Sequence, residues 1–404
     1  MLPKIKSTRQ VYLDYAATTP LDPRVKKAME PFWREKFGNP TSLYKKGREA
    51  AEAIGSARKN IAQLINSRPE EIFFTAGGTE SINLAIFGVA RAIHQKNKKT
   101  PHIITTKIEH HAVLRSFEAL EKEGIKTSYI DVDNQGMINI NKLKSAVRPE
   151  TILISVMYAN NEIGSIQPII EIGKWLKQIN TDRVHNGLTQ ILFHTDACQA
   201  AVSLDMNVQK LGVDLLSANS SKIYGPKQSG FLYVRGGVYL SPLIYGGGQE
   251  RDLRSGTENV PGVVGLAKAL ELAQKDRLRE NPRLIKLRDY FRTRVLKKIP
   301  KVVVNGPHQA MRLPNNINFS FSGVEGEALL LYLDSYGISV STGSACSSAD
   351  LDPSHVLLAI GRTAKQAQSS IRFTLGRQTK KSDLDYVLKI LSELVKELRR
   401  VKRL

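Results

Sequence analysis

The chain has 404 residues, 41% of them hydrophobic and 24% charged, which is the composition of a soluble globular protein with room for two or more domains. Its two cysteines exclude a disulfide framework, and no CxxC or Cys/His cluster suggests a metal site. The formal charge of +21 points to anionic partners, but the bases are scattered and no aromatic-interleaved basic motif supports sequence-specific nucleic-acid binding.

The N-terminal stretch MLPKIKSTRQ leads directly into VYLDYAATTP without an apolar core segment, so a secretory signal is not expected. No apolar run approaches the roughly 18 residues of a membrane span. A reducing cytoplasm is the expected compartment. From about residue 70 to 235, short apolar strands alternate with helices. EIFF (71–74) precedes a glycine turn and then TESINLAIFGVARAI, where Ile82, Ile86, Val89 and Ile93 share one helical face. HIITT (102–106) precedes a helix that stops near Gly124. TILISVM (151–157), QILF (190–193) and VDLLSA (213–218) are further strands. The first of these is apolar throughout, as a strand covered on both faces should be. Such alternation implies an α/β fold with a mainly parallel sheet flanked by helices. NTDRVHNGLTQ (180–190) reads as a surface loop. After Pro261 the pattern changes to long charged helices, three strands (KVVVNG, NNINFSF, SIRFTL) and a last helix from about Ser382. This second, α+β unit is expected to begin near residue 262.

In open parallel sheets, ligands bind beyond the carboxyl ends of the strands. After EIFF comes TAGGTES, with Gly78 and Thr79 opening a helix whose free amides suit a phosphate. After HIITT come His110 and His111. After TILISVM come Asn160, Asn161 and Glu162. HTDACQA follows QILF and puts Asp196 at a buried strand end. NSSKIYGPKQSG follows VDLLSA and puts Lys222 in a tight turn among hydroxyls. Each motif alone is ordinary. Together they place a lysine, a buried acid, histidines and a phosphate-type loop at one edge, which is the set pyridoxal phosphate needs. A nucleotide fold is the rival, but neither GxGxxG nor GxxxxGK[ST] is present.

Over nearly its whole length the chain resembles the cysteine desulfurases of iron–sulfur cluster assembly and nitrogen fixation, in the class V aminotransferase group of fold-type I enzymes. The motifs carrying the resemblance include YLDYAATTP, FGNPTS, FTAGGTESINLAI, EHHAVL, NNEIG, HTDACQ, SKIYGPK, GGGQERDLRSGTEN, STGSACSS and SIRFTLGR. The resemblance implies a seven-stranded sheet in a large cofactor-binding domain (16–262), a smaller C-terminal domain (263–404), and an N-terminal segment (1–15) packed with the latter. It also implies pyridoxal 5'-phosphate as cofactor, with Lys222 as Schiff-base lysine and proton carrier. Asp196 pairs with the pyridine nitrogen, His110 stacks on the ring and moves protons, Gln199 reaches the ring hydroxyl, and Asn161 fixes cofactor and substrate. Gly78 and Thr79 hold the phosphate, with Asn219 and Ser221 beside them. Thr257 reaches the phosphate of a neighbouring subunit, so a homodimer follows. Arg372 grips the carboxylate of L-cysteine, supported by Asn39.

Cys346, in a run of glycine, alanine and serine (341–350), then becomes the nucleophile of a flexible arm. It takes the substrate's sulfur as a persulfide, leaves alanine, and passes sulfur to an acidic acceptor such as an iron–sulfur scaffold or a tRNA-thiolation protein. Cys198 reads as packing and His111 as structural. Two departures from the family pattern concern the cradle and its surroundings: Asn219-Ser220-Ser221 precede the lysine where a histidine is usual, and Tyr44 replaces a histidine after FGNP. The chain also stops soon after VKELRR, where some relatives continue into a tail that contacts scaffolds. Rival readings are a selenocysteine lyase, a transaminase, or a non-catalytic basic scaffold; retention of Lys222, Asp196, His110, Arg372 and Cys346 speaks against the last.

Overall fold

The computed structural model describes residues 9–96, 100–342 and 352–401. Cys346 lies outside the described residues. The first strand, β1 (Val11–Tyr12), is short. Seven more follow: β2 (Ile72–Thr75), β3 (His102–Thr106), β4 (Lys126–Ile130), β5 (Thr151–Ser155), β6 (Leu192–Asp196), β7 (Leu215–Asn219) and β8 (Gly230–Val234). They form one seven-stranded sheet in the order β2-β8-β7-β6-β5-β3-β4. The pairs from β7 through β4 are all parallel, whereas β8 runs antiparallel to both β7 and β2. The connection 220–229 explains the reversal. It is shorter than the roughly dozen residues a crossover between parallel strands needs. Because two antiparallel pairings separate β2 from β7, these two strands point the same way. The carboxyl ends of β2, β3, β5, β6 and β7 therefore meet along one edge.

Side chains alternate across this sheet into two apolar cores. Phe74, Ile104, Ile154, Phe193 and Leu216 face one, and Phe73, Ile103, Leu153, Leu192 and Leu215 face the other. That is why the strands read as continuous apolar runs rather than alternating ones. The reading of 180–190 as a surface loop is corrected. The helix Ile169–His185 runs through its first half, and Arg183 is buried, donating to the carbonyls of Arg148, Pro149, Thr151 and Thr189.

The remaining strands are β9 (Val302–Asn305), β10 (Asn316–Phe321), β11 (Ile338–Ser339) and β12 (Ser370–Thr374). An antiparallel sheet runs β12-β10-β9, and β11 pairs in parallel with β1 through Val11 opposite Ile338 and Tyr12 opposite Ser339. Val11 and Leu13 thereby join an apolar core with Phe291, Phe319, Phe373 and Leu391. The helix Val260–Lys298 is 39 residues long and serves both units. Its residues through Ala273 pack on the large-sheet core, and those from Leu284 pack on the second core. The break expected at 262/263 falls inside this helix. No helix among the described residues is long and apolar enough to cross a membrane.

Candidate active site

A cavity of about 710 Å³ opens at the edge where the strands end. Gly78 and Thr79 (after β2), His110 (after β3), Asn161 (after β5), Asp196 and Gln199 (at and after β6) all line it. Asn219 and Lys222, at and after β7, and Arg372 on β12 complete the set of sequence-predicted residues that the fold brings together.

The loop after β2 is held from within. Ala76 donates its amide to Glu80 Oε2 at 2.9 Å, and Glu80 is fixed by Arg254 at 2.8 Å. Gly77 has φ +150°, and a Cβ on Gly78 would lie 2.7 Å from Cys198 Sγ and 3.0 Å from Asn219 Nδ2. Only glycine allows the start of the helix Gly78–Lys96 to approach the β6 and β7 ends this closely. The free amides of that first turn face an anion-favouring position.

The Lys222 turn is clamped by the N-terminal segment. The Ser221 carbonyl accepts from both the amide and the hydroxyl of Thr19 at 2.9 Å, and Thr19 Oγ1 accepts from the Tyr224 amide at 2.8 Å. Lys222 Nζ donates to the Ala17 carbonyl, and Gln199 Nε2 donates to the Ala16 carbonyl at 2.9 Å. Asp196 is buried, with Oδ1 accepting from the Cys198 amide at 2.9 Å. His110 caps the helix His111–Lys122 by accepting the Ala112 amide on Nδ1 at 3.1 Å, which puts the neutral ring's proton on Nε2. Burial lowers the His110 pKa; Asp196 opposes this, while Lys222 and His111 reinforce it. Burial, aided by Asp196, drives the Cys198 thiol well above the ordinary thiol range, so it packs rather than reacts.

Arg372 is almost fully buried. Nη2 donates to Asp14 Oδ1 at 2.7 Å and Nη1 donates to the Asn161 carbonyl at 3.1 Å, while Nε is buried without a hydrogen-bond partner. Three sequence-predicted residues lie outside the cavity lining. Asn39 is exposed and turns its carboxamide oxygen back to the Thr41 amide and hydroxyl. Ser221 is bonded to Asn219 Oδ1 at 3.4 Å, and Thr257 faces solvent.

Several functional neighbours were given no role in the sequence reading. Glu109 lies wholly buried behind His110, accepting from Thr106 Oγ1 at 2.7 Å and from the Met157 amide at 2.9 Å; burial pushes its pKa up to about 8. Glu162 accepts the Ser354 hydroxyl at 2.5 Å, and burial pushes it up to about 7. His355 donates Nε2–H to the Glu109 carbonyl at 2.9 Å, and its ring centroid lies 4.7 Å from that of His111. Ser354 and His355 line the same cavity. Asp14 could have been suspected from its place in YLDYAATTP; Ser354 and His355 carry no comparable signal.

Comparison with known proteins agrees with this geometry. The class-V aminotransferase family model matches residues 11–387. The chain is 53% identical over 393 residues to the cysteine desulfurase IscS of Dictyoglomus turgidum, covering 97% of this chain and 96% of that protein. It is 49% identical over 397 residues to the cysteine desulfurase IscS of Clostridium botulinum, covering 98% and 97%. Among solved structures, a NifS-like protein superposes with a TM-score of 0.88 at 38% identity, covering 96% of this chain and 100% of that one. The X-ray structure of a NifS-like protein from Rickettsia africae gives 0.83 at 29% identity, with coverage of 96% and 100%.

Proposed function

Because the chain belongs to the class-V aminotransferase family and, within it, to the cysteine desulfurases, we propose that this cavity delivers the sulfur of L-cysteine to Cys346 and leaves L-alanine. The observation that carries the assignment of roles is the convergence of Lys222, Asp196 and His110 on one cavity whose wall is a glycine-started helix end.

Pyridoxal 5'-phosphate is the cofactor of this family, and the residues suit it: a lysine amine, a buried carboxylate and an amide-rich helix start share one cavity. When bound, it supplies an electron sink for bonds at the substrate's α-carbon. Lys222 Nζ is the amine that holds it and later carries a proton. Asp196 pairs with the pyridine nitrogen. Gly78 and Thr79 amides, with Asn219 and Ser221, take the phosphate. Gln199 and Asn161 orient the ring. His110, neutral with its proton on Nε2, would lie against the ring and hold or release a proton at that nitrogen. Arg372 binds the substrate carboxylate through its planar fork, with Asn39 in support.

Cys346 is the sulfur acceptor. Its thiolate bonds to the substrate sulfur, the substrate's C–S bond breaks, and the carbon takes a proton; L-alanine and a cysteine persulfide result. Ser341 pairs with Arg372 through both backbone hydrogen bonds, which anchors the chain beside the cavity. We place the reaction in the reducing cytoplasm, where such a thiol stays free. Thr257 serves the phosphate of a second subunit in a homodimer. Exposed Trp33, Phe37, Leu43 and Tyr44 on one segment supply apolar surface for that contact. The +21 charge favours an acidic sulfur acceptor of the iron–sulfur scaffold or tRNA-thiolation kind.

The test is incubation with L-cysteine, reading alanine and enzyme-bound persulfide. Cys346→Ser should keep the visible cofactor band but lose the persulfide, and Lys222→Ala should lose the band. Undiminished sulfur transfer in Cys346→Ser would refute the role given to that thiol.

A further inference from the structure

A second cavity, of about 400 Å³, lies in the smaller unit between the helix Val260–Lys298 and the turn that follows β9. None of its lining residues lines the first cavity. Three arginines border it: Arg288, Arg292 and Arg312. Arg288 is 2% exposed and Arg312 is 4% exposed.

Their partners are largely uncharged. Arg312 donates to the carbonyls of Pro307 at 2.6 Å and Asn305 at 2.5 Å, and to Asn316 Oδ1 at 3.4 Å. Arg288 donates to the Leu313 carbonyl at 2.9 Å and to Asp289 Oδ1 at 2.9 Å. Asp289 is the one carboxylate in the lining, and its side chain is 52% exposed. The Nε of Arg292 is buried without a hydrogen-bond partner. Three guanidinium charges against one carboxylate leave the lining two positive charges in excess. Buried charge is ordinarily paired. The deficit shows in Arg312, whose pKa is pushed down to about 9 by burial and then by Arg288 and Arg292. His308 is held below its ordinary value by burial and then by Arg292 and Arg312.

We propose that this cavity binds a phosphate dianion, free or as the end of a small phosphate ester. Two negative charges match the excess, whereas a single carboxylate would leave half of it. Guanidinium groups meet phosphate oxygens in a planar, two-pronged fashion, and Arg292 is the half-buried one of the three arginines in the lining. The cavity volume exceeds that of the ion, which leaves space for an ester substituent.

The test uses the holoenzyme, whose cofactor phosphate already fills the catalytic cradle. Inorganic phosphate is titrated by calorimetry and by thermal unfolding at constant ionic strength, with chloride as the balancing salt. The wild type should show saturable binding and a saturable rise in Tm. Arg292→Gln should weaken binding at least tenfold while leaving desulfurase activity unchanged, because Arg292 is outside the catalytic cavity. Arg292→Lys, which keeps the charge without the fork, should fall between. Ribose 5-phosphate binding more tightly than inorganic phosphate would assign the ester; equal affinity would assign the free ion. A Tm response equal to that of chloride, or phosphate binding undiminished in both variants, would overturn the proposal.

Discussion

Asp14 and Arg372 stand 358 positions apart in the chain, yet the Asp14 carboxylate accepts from Arg372 Nη2 at 2.7 Å. The β1–β11 pairing and the Asp14–Thr374 bridge bring the N-terminal segment to this place. The carboxylate both balances the buried guanidinium and fixes its plane, with the Asn161 carbonyl as second fixture. Asp14→Asn keeps the shape and removes the charge. A hydrogen bond to a charged group contributes about 1.5–3 kcal/mol, so KM for L-cysteine should rise roughly tenfold or more while kcat changes little. Arg372→Lys should raise KM further, since lysine has no planar fork. A fall in kcat with KM unmoved would mean that Arg372 does not meet the substrate carboxylate.

His110 does two jobs that can be separated. Its Nδ1 caps a helix by accepting the Ala112 amide, while its ring lines the cavity. Asparagine is a good N-cap but cannot stack or carry a proton. His110→Asn should therefore unfold within about a degree of the wild type yet lose about 10²–10⁴-fold in kcat, the range for a lost general acid–base. Because burial lowers the ring's pKa, the acid limb attributable to it in the wild type should lie below 6.5. A variant with kcat near that of the wild type would leave His110 a cap and nothing more.

Glu162 gives the fold a pH dependence of definite sign. Its pKa rises from 4.5 to about 7, chiefly through burial, with the Ser354 hydroxyl and Arg372 pulling the other way. The folded chain thus holds a proton that the unfolded chain has released. The stability from this group is complete below about 4.5 and is lost as the pH climbs to about 7. Glu162→Gln cannot ionise, so its stability relative to wild type should grow between those limits and level off above. From a shift of this size the change is at most about 3 kcal/mol. Glu109 acts in the same direction, up to about 8. Chemical denaturation of wild type and Glu162→Gln across pH 4.5–8 checks this, and a constant difference over the range would contradict it.

Much of this was legible in the chain because it is local. An apolar run marks each of β5, β6 and β7, and the motif just after each is what reaches the cavity. Gly78, His110, Asn161, Asp196 and Lys222 could be grouped from strand-end position alone, once a parallel sheet was inferred. What stayed hidden depends on distant pairing. Ser354 meets Glu162 across 192 positions, and His355 meets the Glu109 carbonyl across 246. No local pattern encodes either contact. The helix Val260–Lys298 hid the junction between units for a related reason. Pro282 sits inside it, where a proline usually signals a break, but packing on two cores holds the helix continuous.

The two cysteines should differ sharply in solution. Cys198 is 7% exposed, wedged where Gly78 approaches, and its thiol is held far above the ordinary range by burial and then by Asp196. Thiol reactivity follows the thiolate fraction, so Cys198 should resist alkylation in the folded protein. Cys346, with its small neighbours Ser344, Ala345 and Ser347, is the thiol proposed to carry sulfur. Iodoacetamide should therefore modify one cysteine natively, identified by peptide mass as Cys346, and both after denaturation. Alkylation should abolish persulfide formation with the same time course as it labels Cys346. Cys198→Ala should retain activity, since the thiol gives no catalytic proton or nucleophile. Its cost in stability should be about 1 kcal/mol from the lost packing. Loss of persulfide in Cys198→Ala, with the protein folded and the cofactor band intact, would move the sulfur relay to the cavity wall and remove Cys346 from its place.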